Sequence, residues 1–160
     1  CTKSNPGCLY CPMSYDCQAR IENRPADFPG KKPKKEIPVR SSVFLQCVDS
    51  EGRVLLERRP PTGIWGGLWS FPEIGEKAGV ANWLSDNGLT STADPAEQSR
   101  HSHTFSHFKL DITPIVCPTA AAPSRISDRD DRRWFTIDEA LALGLPAPVL
   151  IMLNTLTVKD

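Results

Sequence analysis

The sequence lacks several features that mark whole classes of protein. It has no apolar run long enough to cross a membrane, and its first residues lack the apolar core of a signal peptide. It also lacks net charge, because 19 basic and 19 acidic residues balance. No global field therefore draws the chain to nucleic acid or to a membrane. These absences predict a soluble protein whose contacts with any polyanion are local.

The chain also lacks an initiator methionine, since it begins with Cys1. This predicts a processed product or an excised piece of a longer protein. The 160 residues suffice for one globular domain and an appendage, which would bury roughly two thirds of their unfolded surface. One hydrophobic core and a monomer are therefore expected.

Cysteine is scarce beyond the first 17 residues, where only Cys47 and Cys117 occur, in apolar segments that predict inert buried thiols. The crowding of the other four argues against a secreted disulfide framework, whose cysteines usually spread through the fold. A zinc ribbon has two C-x2-C knuckles, and only Cys8 and Cys11 form one. A four-thiolate iron–sulfur cluster tolerates several spacings. By spacing alone, zinc and a cluster both stay open.

A compact domain is expected after a linker that is rich in proline and lysine. Apolar runs at residues 41–48 and 53–59, split by "DSEG", predict a hairpin, and "LWSFPE" predicts another strand. Residues 76–88 predict a helix that Gly88 stops, and residues 100–118 predict two strands around a tight "FSH" corner. After the strand "RRWFT", a capping box of Thr136 and Glu139 begins a helix that ends by Gly144, and residues 147–156 form the last helix. The predicted fold class is α+β, a mixed β-sheet flanked by helices.

Residues 67–89 resemble the box of the Nudix hydrolases, G-x5-E-x7-R-E-U-x-E-E-x-G-U, where U is a bulky apolar residue. The chain supplies four of its positions in register, Gly67, Glu73, Gly88 and Leu89. The resemblance implies a Nudix-like domain.

The helical glutamates of that box are missing. In the family they lie on one helix face, where magnesium bridging a pyrophosphate needs carboxylate oxygens. This chain has Asn82, Ser85 and Asp86 at those positions. One carboxylate is too few, so we expect the Nudix frame with no magnesium site.

The spacing C-x6-C-x2-C-x5-C resembles the cluster loop of the helix-hairpin-helix DNA glycosylases, and "NPGCLYCPMSYDC" is similar to the version in the adenine DNA glycosylase (MutY) family. "LLERRPPTGIWGGLWSFPE" and "RHSHTFSHFKLDI" resemble segments of that family's C-terminal domain. The resemblance implies three parts. Residues 1–20 end the catalytic domain with a cluster loop, residues 21–38 form the linker, and residues 39–160 form a Nudix-like domain that recognises 8-oxoguanine.

The same resemblance implies that a [4Fe-4S] cluster of the parent protein is bound by four thiolates, those of Cys1, Cys8, Cys11 and Cys17. With Cys1 at a free chain end, we expect that the fragment as given carries no intact cluster and that this segment is mobile.

The resemblance places lesion recognition on Phe105, Ser106 and His107. Oxidation to 8-oxoguanine makes N7 a donor, and the Ser106 hydroxyl, which both donates and accepts, can take that proton. Phe105 would wedge or stack at the base step, and His107 would donate to phosphate or base. Without the resemblance, a serine and histidine at a hairpin corner beside a core phenylalanine are ordinary turn chemistry.

Phosphate contacts are expected from exposed cations in the linker and at a strand end, namely Lys31, Lys32, Lys34, Lys35, Arg58 and Arg59. The four tryptophans are expected to be core or loop anchors rather than base-stacking platforms.

Removing adenine needs its extrusion and protonation by a carboxylic acid, and in this family those residues precede the cluster loop. We therefore expect a C-terminal fragment, inactive alone, whose partners are duplex DNA with adenine opposite 8-oxoguanine and its own N-terminal catalytic domain. An active Nudix pyrophosphohydrolase on an oxidised nucleotide is the main alternative, and it would require magnesium-dependent turnover. A third possibility, a zinc-bearing adaptor, would contain zinc instead of iron and show no lesion preference.

Overall fold

The computed structural model describes residues 5–28, 30, 36–120 and 131–157. The chain divides into two compact units, Cys1–Glu36 and Ile37–Asp160. The cluster ligand predicted at Cys1 and the predicted phosphate contacts of the linker, Lys31, Lys32, Lys34 and Lys35, lie outside the described residues. The three-part division at residues 20 and 38 stays a prediction.

The first unit consists of short helical turns. Two 3-10 turns, Cys8–Tyr10 and Pro25–Asp27, flank the one-turn helix α1, Gln18–Ile21. The second 3-10 turn lies in the predicted linker, where Pro25 suits a helical first position and Arg24 pairs with Asp27 at 2.7 Å. None of the described side chains of this unit is buried, so hydrophobic burial contributes little to its stability.

The second unit is a mixed sheet that has eight strands within the described residues. Its centre is the parallel pair β1 (Val39–Val48) and β7 (Lys109–Pro118), in register from Val39 opposite Lys109 to Val48 opposite Pro118. The other strands are β2 (Val54–Arg58), β3 (Trp69–Ser70), β4 (Glu73–Ile74), β5 (Ala96–Glu97), β6 (His101–Thr104) and β8 (Arg132–Phe135). The path runs β3-β2-β1-β7-β5, with β4 also on β1, β6 on β7 and β8 on β2.

The predicted hairpin of β1 and β2 is confirmed. Its turn is closed by Asp49, whose carboxylate accepts hydrogen bonds from the backbone N–H groups of Glu51 and Arg53, at 3.0 and 2.8 Å. Gly52 has φ +75, a conformation that glycine adopts without steric cost. The turn chemistry therefore agrees with the strand pattern.

The single strand predicted for "LWSFPE" is wrong, because the structure has two strands there. Trp69 and Ser70 pair with β2, whereas Glu73 and Ile74 pair with β1. Pro72 lies between them and has no N–H to continue a ladder; its carbonyl accepts from Leu45 N at 2.9 Å. The proline therefore marks the point at which the chain changes partner strand.

The predicted helix over residues 76–88 begins as a 3-10 turn, Lys77–Gly79, and continues as α2, Val80–Asp86. Gly88 ends it at φ +66, as predicted. Leu89 N donates to Leu84 O at 2.8 Å and Gly88 N to Ser85 O at 3.0 Å, the paired bonds of a glycine-ended helix.

Two further helices follow β8. The capping box is confirmed at α3, Ile137–Leu141: Glu139 N donates to Thr136 Oγ1 at 3.3 Å, and Thr136 N donates to Glu139 Oε2 at 2.9 Å. The last helix, α4, spans Ala147–Thr157, close to its predicted range. No helix in the described part of the chain is long and apolar enough to span a membrane.

The sheet has a hydrophobic cluster on each face, because successive strand residues point to opposite sides. Val43, Leu45 and Cys47 of β1 belong to the cluster that packs against α2. Phe44 belongs to the other cluster, which contains residues of α3 and α4. All four tryptophans pack against these clusters, as predicted: Trp65, Trp69, Trp83 and Trp134.

Candidate functional site

The predicted recognition residues lie at the turn between β6 and β7. These strands are antiparallel and pair from His101 opposite Ile112 to Thr104 opposite Lys109. Phe105 N donates to Phe108 O at 2.8 Å, so Ser106 and His107 form the tip. Both tip residues are exposed, and their side chains contact each other, with Ser106 Oγ 3.2 Å from His107 Nδ1. We call Phe105, Ser106 and His107 the recognition turn.

Aromatic rings support the base of the recognition turn. Phe105 is half-buried and stacks on Phe108, with ring centres 4.6 Å apart at 24°. Phe108 is 1% exposed, and the His107 ring meets it edge-on at 4.9 Å. The turn therefore joins a polar tip to an aromatic base within the core.

Two residues at this site were missed or left unexplained by the sequence. Trp65 contacts both Phe105, at 5.3 Å between ring centres, and His103, at 5.4 Å. His103 also meets Phe105 at 4.6 Å. The alternation of half-buried and exposed residues along β6 would have placed His103 on the face of Phe105. Nothing in the local sequence pattern connects His103 or Phe105 to Trp65, which lies about 40 residues earlier in the chain.

Three arginines on or beside strands β1 and β2 have different environments. Arg40 of β1 lies over the Phe108 ring, with its guanidinium carbon 4.6 Å from the ring centre. Arg58 is exposed, and its Nε donates to Gly67 O at 3.1 Å. Arg59 is engaged within the protein, since it pairs with Glu73 at 2.8 Å and donates to Ile64 O at 3.2 Å. Of the two predicted arginines, Arg58 is the one left facing solvent.

The glutamate retained from the Nudix box has protein partners on both oxygens. Ser42 Oγ donates to Glu73 Oε1 at 2.6 Å, and the Arg59 guanidinium donates to Oε2 at 2.8 Å. Asn82, Ser85 and Asp86 are exposed on α2. Within the described ranges, no group of three or more His, Cys, Asp or Glu side chains is arranged to hold a metal ion.

Helix α2 is fastened to the sheet by Arg132 of β8. Its Nε and a terminal nitrogen donate to Glu57 Oε2 at 3.0 and 2.6 Å, another terminal nitrogen donates to Asn87 Oδ1, and the guanidinium lies 5.3 Å from the centre of a Trp83 ring. The polar contacts at the C-terminal end of α2 are therefore structural.

The three cysteines that the structure describes in the first unit line one cavity. Cys8, Cys11 and Cys17 surround a space of about 140 Å³ together with Ser14 and Arg20. The three thiols are only half-buried. Among the described residues these three thiols are not gathered into a group that could hold a metal ion, so the predicted cluster stays a prediction.

The remaining cysteines are buried, as predicted. Cys47 lies opposite Cys117 in the parallel register, and both are fully buried. Hydrogen bonding to Cys117, together with burial, raises the pKa of the Cys47 thiol far above its usual range. That thiol is therefore protonated and unreactive.

The fold and these contacts define a Nudix-like α+β domain that carries an exposed Ser-His turn. The NUDIX domain family (NUDIX_4) matches residues 43–155. The chain belongs to this family.

Comparison with known proteins refines this class. The chain is 29% identical over 149 residues to the adenine DNA glycosylase of Buchnera aphidicola subsp. Schizaphis graminum, covering 93% of this chain and 43% of the relative. It is 37% identical over 87 residues to that of Arabidopsis thaliana, covering 46% of this chain and 14% of the relative. The chain thus spans less than half the length of these relatives.

Two solved structures show the same fold. The C-terminal domain of mouse MUTYH, in its complex with human PCNA, superposes with a TM-score of 0.58 at 19% identity over 72% of this chain and 86% of that one. The MutT protein of Methanosarcina mazei superposes at 0.60 and 18% identity over 79% of this chain and 98% of that one. The predicted α+β fold and the resemblance to the Nudix-like C-terminal part of MutY proteins are confirmed.

Proposed function

We propose that this chain is the lesion-recognition part of an adenine DNA glycosylase, an intracellular enzyme of base excision repair that removes adenine opposite 8-oxoguanine in duplex DNA. The groups that remove adenine belong to a preceding domain, so the chain alone is inactive. The similarity to bacterial adenine DNA glycosylases over 93% of the chain supports this, and it leaves more than half of each relative for another domain.

The observation that carries the proposal is the exposed Ser106 hydroxyl at the tip of an aromatically supported turn. Guanine presents N7 as an acceptor, whereas 8-oxoguanine presents N7–H as a donor. A reader must therefore offer an acceptor at that position. A serine oxygen can do so while its own hydrogen is used elsewhere.

His107 supplies the acceptor for the Ser106 hydroxyl hydrogen. With the imidazole proton on Nε2, Nδ1 accepts the Ser106 hydroxyl hydrogen across the 3.2 Å contact. The free lone pairs of Ser106 Oγ then accept N7–H of 8-oxoguanine but face the N7 lone pair of guanine. Repulsion between two acceptors thus disfavours the undamaged base, which is how the turn gains specificity.

The neighbouring groups have supporting roles. The unburied part of Phe105 packs at the base step, and its buried part holds the turn. Arg40 and Arg58 supply positive charge for the DNA backbone, together with Lys31, Lys32, Lys34 and Lys35 of the linker. These contacts fix position without distinguishing bases.

Ser106→Ala in the longer protein that the proposal requires should lower the preference for A·8-oxoG over A·G by about 1–3 kcal/mol, the size of one good base contact. Single-turnover adenine release from the two duplexes measures it. Neither Ser106 nor His107 has positive φ, so alanine fits the backbone. Ser102→Ala is the matched control, at an exposed serine of β6 in the same hairpin whose side chain hydrogen-bonds Asp111 and not the turn. An unchanged preference in Ser106→Ala removes this serine from the reader.

Two measurements on the wild-type protein test the remaining parts of the proposal. Magnesium-dependent hydrolysis of a nucleoside triphosphate by the chain would support the pyrophosphohydrolase instead, although both Glu73 oxygens already have partners.

We also propose that Cys1, Cys8, Cys11 and Cys17 hold a [4Fe-4S] cluster in the longer protein, where it orders their segment. Metal analysis of that protein should find iron; zinc would favour the adaptor.

A further inference from the structure

We infer that Trp65 is a positioning residue for the recognition turn. We also infer that Glu73, the glutamate retained from the Nudix box, holds in place the loop that carries Trp65. This inference rests on the proposed function. It gives two residues outside the turn a part in lesion specificity.

Trp65 connects the recognition turn to the core. Its ring lies 5.3 Å from the centre of Phe105 and 6.5 Å from that of Phe44, which is fully buried. It also packs on His103 at 5.4 Å, and His103 packs on Phe105. Phe105 therefore contacts three rings, those of Phe108, His103 and Trp65. Removing the indole leaves the turn attached but less constrained, because packing contacts fix side-chain position.

The backbone of Trp65 is in an uncommon conformation. Its φ is +56, a region that bulky side chains rarely adopt and that persists only when the surroundings enforce it. The enforcement is visible in the loop of residues 60–68. Leu68 N donates to Trp65 O at 3.1 Å, and Gly67 N donates to Arg59 O at 3.2 Å. A Cβ on Gly66 would approach Pro61 O to 2.5 Å, so the loop backbone is close-packed there.

Arg59 ties this loop to the sheet. Its Nε donates to Ile64 O at 3.2 Å, next to Trp65, and its guanidinium carbon lies 5.8 Å from the centre of a Trp65 ring. The same guanidinium pairs with Glu73 of β4, whose other oxygen accepts from Ser42 of β1. A continuous series of contacts thus runs from Ser42 through Glu73, Arg59 and Trp65 to Phe105. Glu73, the one glutamate retained from the Nudix box, therefore has a positional role in this series.

The experiment is a double-mutant cycle on lesion preference in the longer protein that the proposed function requires. Trp65→Leu, Ser106→Ala and their combination are compared by single-turnover adenine release from A·8-oxoG and A·G duplexes. Trp65→Leu should lower the preference about tenfold, within the range of a 5- to 150-fold coupling. If Trp65 acts through the turn, the double variant should be no less selective than Ser106→Ala alone.

Two further variants separate positioning from general destabilisation. Trp65→Phe keeps a ring beside Phe105 and should retain most of the preference. Trp69→Leu removes a half-buried indole from the same core cluster, where its ring partner is Phe135. It should lower the thermal unfolding temperature while leaving the preference intact. Glu73→Gln should lower the preference in the same direction as Trp65→Leu, by a smaller factor.

Each outcome decides a specific point. Losses that multiply in the double variant, or an equal loss in Trp69→Leu, overturn the positioning role of Trp65. An unchanged preference in Trp65→Leu overturns it as well. If Trp65→Leu does not fold, Trp65→Phe and Glu73→Gln are compared, and an unchanged preference in Glu73→Gln overturns the inference. No effect of Ser106→Ala instead overturns the proposed function, whatever Trp65 does.

Discussion

The two faces of the sheet differ in what they keep of the Nudix pattern. On the face of α2 the helix is present and glycine-ended, but the three positions of the catalytic glutamates hold Asn82, Ser85 and Asp86. On the other face Phe44, Trp65, Phe105 and Phe108 form an aromatic group under an exposed polar turn. On the α2 face the helix of the box is kept without its glutamates, and on the other face an exposed polar turn rests on aromatic rings.

The difference teaches that a fold's frame and its catalytic groups are separable. The buried residues on both sides of β1 keep the sheet intact whether or not carboxylates lie on α2, because burial depends on apolar area. Glu73, the glutamate retained from the Nudix box, makes structural contacts in this chain. One oxygen accepts from Ser42, and the other forms an ion pair with Arg59, which holds the loop of residues 60–68.

The largest effect is expected for Gly66→Ala, which tests whether the aromatic face depends on a rigid loop. The new Cβ would meet Pro61 O at 2.5 Å and Pro61 C at 2.9 Å. These are backbone atoms, so the loop itself must shift. We expect a loss of about 2–3 kcal/mol in the free energy of unfolding, the cost of overpacking, and a lower A·8-oxoG preference. Urea unfolding and single-turnover release measure the two.

Gly75→Ala is the matched control for Gly66→Ala. Its Cβ would meet nothing within 4 Å, and its φ is outside the positive region. Stability and preference should both stay near wild type. Equal effects of the two substitutions would show that the loop around Gly66 yields easily, and the contrast between the faces would lose its structural basis.

Arg132→Gln tests the α2 face and should have an intermediate effect. It removes the two hydrogen bonds that the guanidinium donates to Glu57 Oε2 and the cation beside the Trp83 ring, and it leaves Glu57 without that partner. The pair is partly exposed, so we expect a loss of about 1–2 kcal/mol in unfolding free energy, below the cost of breaking a fully buried pair. Lesion preference should not change. Arg100→Gln, at an exposed arginine with a 3.8 Å ion pair, should cost almost nothing.

The result of Arg132→Gln bears directly on the comparison. Unfolding curves and lesion preference are measured on the same preparation, so stability and specificity are separated. A lower preference in Arg132→Gln would couple the α2 face to DNA recognition and remove the division of roles between the faces.

Local signals predicted most elements of the fold. Apolar, β-branched runs predicted β1 and β2, and the two strands predicted within residues 100–118 match β6 and β7. The Thr136 capping box and Gly88 marked helix ends that the structure reproduces. The strand change at Pro72 was missed because the apolar pattern continues through it. The two-residue strand β5 was missed because it is exposed and has no apolar period.

The candidate site was predictable only where residues are neighbours in sequence. Phe105, Ser106 and His107 form one turn, so a family resemblance over a short segment could name them together, and their role stays a prediction. Trp65 joins them across a long sequence separation through the packing of a loop. Arg40 joins them through the parallel register of β1 and β7, in which it lies opposite Leu110. Neither long-range contact leaves a periodic signal in one sequence.

The smallest effect concerns the helices that follow the sheet, and it is visible in the pH dependence of stability. Hydrogen bonds from the Thr136 backbone N–H, and then from its hydroxyl, hold the pKa of Glu139 below its usual range. A carboxyl with a lowered folded-state pKa stabilises the fold above its unfolded pKa, about 4.3 for glutamate, and this contribution is lost as the pH falls through the folded value. Helix α2 has no side-chain cap, so it has no such contribution.

Thr136→Ala removes the cap of α3 and should cost about 1 kcal/mol at neutral pH. Glu139→Gln is the matched variant, because it keeps the side-chain shape but cannot titrate. The stability gap between wild type and Glu139→Gln, measured by thermal unfolding, should narrow from pH 6 towards pH 3, since protonation of Glu139 removes what the charge contributes. Hydrogen exchange should accelerate with acid at the Ala140 amide of α3 more than at the Leu84 amide of α2, relative to each amide's intrinsic rate. A stability gap that does not change with pH would show that the charge of Glu139 contributes nothing to the cap. Equal acceleration at the two amides would show that α2 and α3 lose protection together in acid.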